Sequence, residues 1–354
     1  MSVFKTLFGC EAQARGTAPG RVNLLGEHTD YNQGLVLPVA IAPRAVVDVA
    51  RSGDGLNRFH SVQLDSQVTQ RAGHEPESGW AVYQHGCIEV LRERGHDVPA
   101  IWASLDSDVP IGAGLSSSAA VEVAMLRALR SLLDIAMDDV EIAQLAQRAE
   151  NNFAGVHCGI LDQMASSLAT TDRMLYLDTR SFERRLLPMP ANAAVLVLDS
   201  GQSRSLAGSG YNERRAECER AAELLGLASL RDVEQLPPAE ALPARLYRRV
   251  RHVFTENARV TEANRGVDAP EFGQLMNQSH ASLSRDYEVS TAAVDHLVAL
   301  LQADPDVFGA KITGGGFGGA CVALVRAGTG RAVASRILPA FAARYAGASV
   351  LVSD

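Results

Sequence analysis

The sequence predicts an α+β fold of two domains, and three observations support this prediction. The chain has 354 residues, whereas a single hydrophobic core rarely grows beyond roughly 250 to 300 residues. Short apolar runs typical of strands alternate with longer helical patterns up to about residue 190. Helical patterns then dominate to about residue 303, after which strand patterns surround a glycine-rich turn. We therefore expect one domain at residues 1–190 and a second at residues 191–354.

The first domain contains segments that predict both strands and helices. Apolar runs at Val36–Val49 and Ile101–Leu105 are typical of strands. Apolar residues recur at helical spacing in residues 80–94 and 139–150, which predicts two helices that each bury one face. Residues 117–133 are apolar almost all round, so we expect a helix that is buried on most of its faces.

The second domain begins with a continuous apolar run at Ala194–Leu198, which is typical of a buried strand. A highly charged helix follows, and we expect it to end at Gly226. Near the C-terminus, Cys321–Val325 predicts another strand, which a helix and a final strand follow. This order indicates helices packed on an antiparallel sheet.

Composition and charge exclude several classes of function. The chain is 47% hydrophobic and 21% charged, as in an ordinary globular enzyme, and its 5% aromatic content disfavours a base-stacking surface. A formal net charge of −8 disfavours nucleic acid or an anionic membrane as a partner. The five cysteines have no CxxC spacing, and no segment reaches the ~20 apolar residues that span a bilayer. We therefore expect simple thiols and a cytoplasmic protein.

The first motif is APGRVNLLGEHTDYNQG, from residue 18 to residue 34. It places Arg21, Glu27, His28 and Asp30 within ten residues. Two carboxylates, an imidazole and a guanidinium provide the donors and acceptors that hold several sugar hydroxyls. The alternative is a solvated loop.

The second motif is VPIGAGLSSSAAVEVA, from residue 109 to residue 124, in which a glycine-rich turn leads into the buried helix. The first amides of a helix have no acceptor within it and lie at the positive end of its dipole. Gly112, Gly114 and Ser116–Ser118 are therefore placed to bind the phosphates of ATP. The alternative is a helix capped by serine. The lysine of a Walker A loop is absent from this motif.

The third motif is CGILDQMASS, from residue 158 to residue 167, where Asp162 lies among small and apolar residues. Composition leaves two roles open for this carboxylate, because it could accept a proton from a substrate hydroxyl or cap a helix. Glu150, twelve residues earlier, is by itself an ordinary charged residue.

The fourth motif is KITGGGFGGACVAL, from residue 311 to residue 324, with five glycines in six positions around Phe317. A tight hairpin explains one or two of these glycines. Five suggest a backbone that lies against a ligand or against another loop.

In this order the four motifs closely resemble those of the galactokinases, which are members of the GHMP family of small-molecule kinases. The resemblance extends from residue 18 to about residue 323, and GRVNLLGEHTDYNQG is its most specific part. It implies a two-domain fold in which the first half is similar to ribosomal protein S5 domain 2 and the second is ferredoxin-like. It also implies that ATP and Mg²⁺ take part in the reaction.

The resemblance assigns a role to individual positions. The sugar would be bound by Glu27, His28, Thr29, Asp30, Gly159 and Tyr211. The phosphates would be bound by Gly112, Ala113, Gly114, Leu115, Ser116, Ser117 and Ser118, and the base would lie near Trp80. Ser118 and Glu150 match the positions that hold Mg²⁺, while Asp162 matches the base and Arg21 its partner.

These roles imply a coherent mechanism. Phosphoryl transfer spreads negative charge over the moving group, so that positioning and nearby cations provide most of the catalysis. Arg21 would keep Asp162 ionised and stabilise that charge, while Asp162 accepts the proton of the anomeric hydroxyl. The products would be sugar 1-phosphate and ADP.

Two segments depart from the family pattern. Asp199–Cys218 opens with DSGQSR in place of a commoner version with asparagine and histidine, although Arg204, Tyr211 and the RRAEC run remain. This change puts the wall that faces the sugar in doubt. Asp286–Val298 keeps DYEVS but lacks the proline and acidic residues that usually follow, and we interpret this difference as peripheral.

The leading hypothesis is phosphorylation of D-galactose, the first committed step of galactose catabolism by the Leloir pathway. The nearest alternative is a C1 kinase of arabinose, galacturonate or N-acetylgalactosamine, against which the intact EHTD run counts. A further alternative is a non-catalytic sensor of sugar and ATP. We expect a monomer that binds a small sugar and ATP, and that binds neither nucleic acid nor membrane.

Overall fold

The computed structural model describes residues 2–71, 73–74, 79–155, 158–202 and 207–353, with no description of the side chains at 207–209. These residues form two compact units. The first unit contains residues 1–21, 41–110 and 116–168, and the second contains residues 22–40, 111–115 and 169–354. The domain boundary that the sequence predicts near residue 190 stays a prediction.

The first unit contains the following elements in chain order: α1 (Val3–Phe8), β1 (Ala14–Leu25), β2 (Leu35–Arg51), β3 (Leu56–Ser61), β4 (Ser66–Arg71), α2 (Val82–Glu93), β5 (Ile101–Ser107), α3 (Ser117–Leu133), α4 (Asp139–Ala149), a π-helical turn (Glu150–Ala154) and α5 (Leu161–Leu168). The last residues of β1 and the first residues of β2 belong to the second unit. The strands lie in the order β4–β3–β5–β2. The β3–β5 pair is parallel, while β3–β4 and β2–β5 are antiparallel.

Helix α3 forms much of the core of the first unit because its sequence is apolar on nearly every face. Ten of its residues, between Ala119 and Leu129, are buried. Gly16 of β1 shows how closely this helix packs, since a Cβ atom there would lie 2.0 Å from the carbonyl oxygen of Ala124. The buried helix predicted at residues 117–133 is therefore confirmed with the same bounds.

The second unit contains β6 (Arg173–Asp178), β7 (Arg184–Pro188), β8 (Ala193–Asp199), α6 (Ala207–Leu225), α7 (Ala244–Ala263), α8 (Ala269–Arg285), α9 (Ala292–Gln302), β9 (Val307–Ile312), β10 (Ala320–Arg326), α10 (Gly330–Ala342) and β11 (Ser349–Val352). Short 3₁₀ turns occur at Asp30–Asn32, Leu230–Asp232 and Ala239–Ala241. Strands β6 and β7 pair with each other, and β6 also pairs with the start of β2.

A four-stranded sheet in the order β11–β8–β10–β9 organises the second unit. Each neighbouring pair is antiparallel. Buried residues of β8, β9 and β10 pack with those of α6, α7, α9 and α10 in one hydrophobic core. Helices on an antiparallel sheet, as the sequence predicts for this half, are thus confirmed.

Two further findings bear on the composition-based expectations. Among the described helices, none is both long and apolar enough to cross a membrane. The five cysteines are all free thiols.

Candidate functional site

Arg21 and Asp162 form an ion pair in the first unit. Asp162 is the second residue of α5, so it lies inside the first helical turn, and Arg21 lies in β1. The Nε and Nη2 atoms of Arg21 both donate to Asp162 Oδ1, at 2.9 and 2.5 Å. The Arg21 side chain is 6% exposed and that of Asp162 is 31% exposed. A buried guanidinium therefore orients a carboxylate that a ligand can reach.

Ser118 and Glu150 meet in the same unit. Ser118 Oγ donates to Glu150 Oε1 at 2.8 Å, and Gln163 Nε2 donates to Glu150 Oε2 at 2.6 Å. Burial raises the pKa of Glu150 to about 7, against the opposing effect of the Ser118 hydrogen bond. A bound cation would favour the ionised form of this carboxyl group.

Sequence reasoning missed Glu122, a fully buried residue of α3. Neither of its carboxyl oxygens has a hydrogen-bond partner among the described residues. Burial, and then the negative charge of Glu150, raise the pKa of Glu122 well above its ordinary value, which favours its uncharged form. A lone acidic residue within an apolar helix is the signal that could have identified it.

The oxygen donors of this cluster fit a hard cation such as Mg²⁺. Magnesium usually binds one or two carboxylates together with phosphate oxygens and water. Ser118 and Glu150 supply a hydroxyl and a carboxylate, and the oxygens of Glu122 show unused capacity nearby. Within the described ranges, no three His, Cys, Asp or Glu residues could hold a metal alone. The fit therefore depends on further ligands from phosphate.

The loop before α3 has the backbone of an anion-binding turn. Gly112, Gly114 and Ser116 all have positive φ, at 76°, 84° and 60°. Ser116 precedes the helix but makes no side-chain capping bond, and its buried Oγ has no hydrogen-bond partner among the described residues. The capped-helix interpretation is therefore wrong for Ser116. The unpaired hydroxyl and the first amides of α3 fit the phosphates of ATP.

In the second unit, Glu27 is a buried acceptor for groups that lie far away in sequence. Its Oε1 atom accepts from Lys311 Nζ and from the Gly314 amide, both at 3.0 Å. Its Oε2 atom accepts from Asn23 Nδ2 at 3.3 Å. The side chains of Lys311 and Glu27 are 0% and 5% exposed. These hydrogen bonds of Glu27 thus connect the loop at residues 26–34, which we call the signature loop, to the glycine-rich turn at residues 314–319.

The neighbours of Glu27 are also constrained. Thr29 Oγ1 lies 2.9 Å from the Gly26 carbonyl oxygen and 2.7 Å from that of Leu35, so it bridges the loop. Asp30 begins a 3₁₀ turn, and its carbonyl accepts from Thr179 Oγ1 at 3.2 Å. This loop has little freedom to change shape.

His28 adopts a left-handed backbone conformation, with φ of 61°, within a group of aromatic rings. Its ring centroid lies 5.4 Å from that of Tyr211 and 4.9 Å from that of Tyr287. Its Nδ1 atom lies 2.8 Å from the hydroxyl of Tyr31. The structure thus brings the predicted sugar-binding residues His28 and Tyr211 together. Sequence reasoning missed Tyr31 and Tyr287.

The glycine-rich turn lies against other loops of the second unit. A Cβ atom at Gly314 would lie 2.7 Å from the Gly114 carbonyl oxygen, and one at Gly316 would lie 2.6 Å from that of Val289. The Phe317 amide donates to the Val289 carbonyl at 2.7 Å. Of the two explanations that the sequence leaves open, contact with another loop accounts for these glycines.

The remaining predicted residues have fewer described contacts. Trp80 is half-buried directly before α2, and its Nε1 atom has no hydrogen-bond partner among the described residues. Gly159 lies in the segment before α5. Ser203 and Arg204 of the variant DSGQSR run lie outside the described residues.

Comparison with known families identifies this arrangement. Residues 2–51 match a galactokinase galactose-binding signature. Residues 82–170 match the N-terminal domain of the GHMP kinases, and residues 262–344 match their C-terminal domain. The chain belongs to the GHMP kinases. The GHMP kinase fold that the sequence predicts is therefore confirmed, and the chain is a kinase that shares the ATP dependence of this family.

Solved structures of other GHMP kinases are similar over almost their whole length. A galactokinase from Lactococcus lactis, complexed with galactose, is 29% identical, with a TM-score of 0.90 over 98% of this chain and 95% of that one. A mevalonate kinase from Methanococcus jannaschii is 17% identical, with a TM-score of 0.69 over 97% and 98% of the two chains. A Streptococcus pneumoniae phosphomevalonate kinase, in complex with phosphomevalonate and AMPPNP, is 13% identical, with a TM-score of 0.64 over 95% and 99%. The last two support the fold alone.

Proposed function

We propose that this GHMP kinase transfers the γ-phosphoryl group of ATP to the anomeric hydroxyl of D-galactose, giving α-D-galactose 1-phosphate and ADP. The galactose-binding signature at residues 2–51 and the similarity to a galactokinase support galactose as the acceptor. The observation that carries the chemistry is the pairing of Asp162 Oδ1 with two donors of the buried Arg21.

Asp162 is the proposed acceptor for the proton of the attacking hydroxyl. The two donors of Arg21 meet at Oδ1, which makes Oδ2 our candidate for the atom that takes the proton. The Arg21 guanidinium orients the carboxylate, and its positive charge opposes the negative charge that develops during transfer. These two roles require the fixed geometry that a buried arginine provides.

The loop before α3 is the proposed binding site for the phosphates of ATP. Gly112–Ser118 would contribute backbone amides, and the positive φ of its glycines allows these amides to converge on an anion. The Ser116 hydroxyl, which lacks a partner among the described residues, is a further donor. Trp80 would lie near the base.

Ser118 and Glu150 are the proposed ligands of Mg²⁺. When bound, the ion would neutralise phosphate charge. The protein would position the Ser118 hydroxyl and the Glu150 carboxylate for the ion. The hydrogen bond from Gln163 Nε2 to Glu150 Oε2 fixes the orientation of that carboxylate.

In the second unit, His28 and Tyr211 are the proposed sugar contacts that the geometry supports best, because their rings lie together. Glu27, Thr29 and Asp30 would bind the sugar through hydrogen-bonding capacity that their contacts within the protein do not use. Gly159 would contribute its backbone. The main part of Glu27 and Thr29 is to hold the loop that carries His28.

The test is an ADP-release assay on the purified protein with ATP and Mg²⁺. Galactose, glucose, arabinose, galacturonate and N-acetylgalactosamine are offered in parallel, and the product is identified by phosphorus NMR. We expect the highest kcat/KM for galactose and phosphate at the anomeric oxygen. Turnover of another sugar in preference to galactose would contradict the proposed substrate. If no sugar causes ADP release although the protein binds ATP, the result would favour a non-catalytic sensor.

A further inference from the structure

A continuous chain of polar side-chain groups leads from Cys218 to His28 within the second unit. Tyr31 Oη lies 2.8 Å from His28 Nδ1 and 2.7 Å from Tyr287 Oη. Cys218 Sγ lies 3.1 Å from Tyr287 Oη. His28, Tyr287 and Cys218 are 4%, 0% and 1% exposed, so solvent hardly competes for these contacts.

Each group in this chain keeps its proton at neutral pH. Burial raises the pKa of Tyr31 and of Tyr287 well above their ordinary value, and it raises the pKa of Cys218 to about 11. Burial also lowers the pKa of His28 well below its ordinary value, so the imidazole is neutral and carries a single proton. The remaining question is which ring nitrogen of His28 holds that proton.

Two proton arrangements satisfy the distances. In the first, the Cys218 thiol donates to Tyr287, Tyr287 donates to Tyr31, and Tyr31 donates to His28 Nδ1. In the second, every bond runs the other way, so that Nδ1–H donates to Tyr31 and Tyr287 donates to the Cys218 sulfur. A neutral imidazole has one donor and one acceptor nitrogen, so the direction of the chain determines the tautomer.

The donor and acceptor strengths of these groups favour the first arrangement. In the second arrangement the sulfur, a weak acceptor, would accept from Tyr287 while the thiol proton needs another partner. In the first arrangement the thiol proton has a partner, and a phenol hydroxyl donates to an imidazole nitrogen.

We propose that the Cys218–Tyr287–Tyr31 chain donates towards His28, so that His28 carries its proton on Nε2 and offers it to an acceptor oxygen of the sugar. The Nε2 atom is buried and has no hydrogen-bond partner among the described residues. The Gly315 backbone opposes the lowering of the His28 pKa without forming a hydrogen bond to Nε2. An N–H group at Nε2 is therefore available to an oxygen of the sugar.

Tyr31, Tyr287 and Cys218 are therefore positioning residues for sugar recognition, since they act through His28. The sugar as the ligand rests on the proposed function, whereas the tautomer itself does not. A fixed Nε2–H group selects a sugar in which the oxygen facing Nε2 can accept a hydrogen bond. It does not require that oxygen to donate.

The first experiment measures the tautomer directly in the full chain without ligand. Long-range proton–nitrogen correlation spectra of protein with ¹⁵N-labelled histidine distinguish the protonated ring nitrogen from the unprotonated one, and His28→Gln identifies the resonances. We expect a protonated Nε2 and an unprotonated Nδ1. A protonated Nδ1 would overturn the proposal. This measurement does not depend on the folding of any variant of Cys218, Tyr287 or Tyr31.

The second experiment links the tautomer to sugar binding. Tyr287→Phe keeps the ring packing but removes the middle hydroxyl, so we expect both tautomers and a KM for galactose that rises roughly tenfold, as for one lost hydrogen bond, with a much smaller change in kcat. Cys218→Ser keeps a donor and should retain the tautomer, whereas Cys218→Ala should not. Tyr345→Phe, whose ring stacks on Phe341, is the matched control and should change neither quantity.

The outcomes separate this inference from the proposed function. A mixed tautomer in Tyr287→Phe with an unchanged KM would overturn the role in sugar recognition. Protonated Nε2 in a protein that phosphorylates none of the sugars would leave the tautomer in place and contradict the proposed function.

Discussion

The acidic residues of the two units differ in how far the protein itself satisfies them. In the first unit, both oxygens of Glu122 lack partners among the described residues, and burial raises the pKa of Glu150 to about 7. In the second unit, Glu27 accepts from Lys311, Gly314 and Asn23. Glu122 and Glu150 therefore have hydrogen-bonding capacity left for a ligand. Most of the hydrogen-bonding capacity of Glu27 is used within the fold.

This difference shows that a family motif does not have one purpose throughout. In the signature loop, the side chains of Glu27 and Thr29 mainly fix the shape of the backbone. His28 lies between these two residues and is positioned by them. The motif around Asp162 instead leaves a carboxylate partly exposed beside a buried cation. Substitutions in the two regions should therefore damage different properties.

The largest expected effect is on folding, from Lys311→Met. The buried Glu27 carboxylate would lose its cation, and removing one partner of a buried ion pair costs about 3 to 5 kcal/mol of unfolding free energy. Urea unfolding measures this loss. The double variant Glu27→Gln/Lys311→Met removes both charges and should be more stable than Lys311→Met. A double variant that is less stable would contradict the structural role of the pair.

The next effect is the pH dependence of stability in the second unit. Burial lowers the pKa of His252 from 6.5 to about 4. The unfolded chain therefore binds a proton at a higher pH than the native protein, so stability is lost as pH falls from 6.5 to about 4. This loss corresponds to about 3 kcal/mol. Glu256, with its pKa lowered to about 2, adds a separate loss below pH 4.5.

His252→Gln is the control for this pH dependence. Glutamine can replace the contact of His252 Nε2 with the Glu27 carbonyl, which is 3.0 Å long, but it does not titrate. The unfolding free energy of the variant should change less between pH 6.5 and pH 4, with a residual slope from His28. An unchanged slope would show that His252 is not the group responsible.

A smaller effect is expected from Gly314→Ala. Its Cβ atom would lie 2.7 Å from the Gly114 carbonyl oxygen, at a φ of 78°. Gly328 has a φ of 79° and no atom within 4 Å of a Cβ, so Gly328→Ala measures the cost of the backbone conformation alone. Gly314→Ala should cost about 2 kcal/mol more in unfolding free energy, as for an overpacked site. Equal costs would contradict close packing of these two loops.

The smallest effect concerns Gln163→Leu in the first unit. The change removes the donor to Glu150 Oε2, so the Mg²⁺ concentration for half-maximal activity should rise about tenfold, as is usual when a partner of a metal ligand is lost. Titration of activity with Mg²⁺ measures this shift. Gln144→Leu, on an exposed position of α4, is the control. An unchanged response would remove Gln163 from the proposed metal site.

The sequence predicts most of the secondary structure because the apolar patterns are strong. The predicted strands Ala194–Leu198 and Cys321–Val325 lie within β8 and β10, and the helix predicted to end at Gly226 ends at Leu225. β3 and β4 lacked a prediction because their buried and exposed residues follow no continuous apolar run. The π-helical turn at Glu150–Ala154 also has no local signal of its own.

The candidate site could be predicted only where local motifs carry it. Asp162, Arg21 and Ser118 lie in such motifs, whereas Glu150 was identified only by its match to the family pattern. The structure pairs these residues as Arg21–Asp162 and Ser118–Glu150. Contacts between distant segments were missed, because Tyr31 and Tyr287 are separated by 256 positions and no local pattern joins them. The same holds for Lys311 and Glu27, which are separated by 284 positions.

The measurement that tests the central claim most directly is the kcat of Asp162→Asn for galactose phosphorylation. Asparagine keeps the shape of the side chain but cannot accept the proton, so we predict a loss of roughly 10²- to 10⁴-fold in kcat, with little change in KM for galactose or ATP. Asp172→Asn, at an exposed position, should keep full activity. A kcat for Asp162→Asn close to that of the control would contradict the role of Asp162 in phosphoryl transfer.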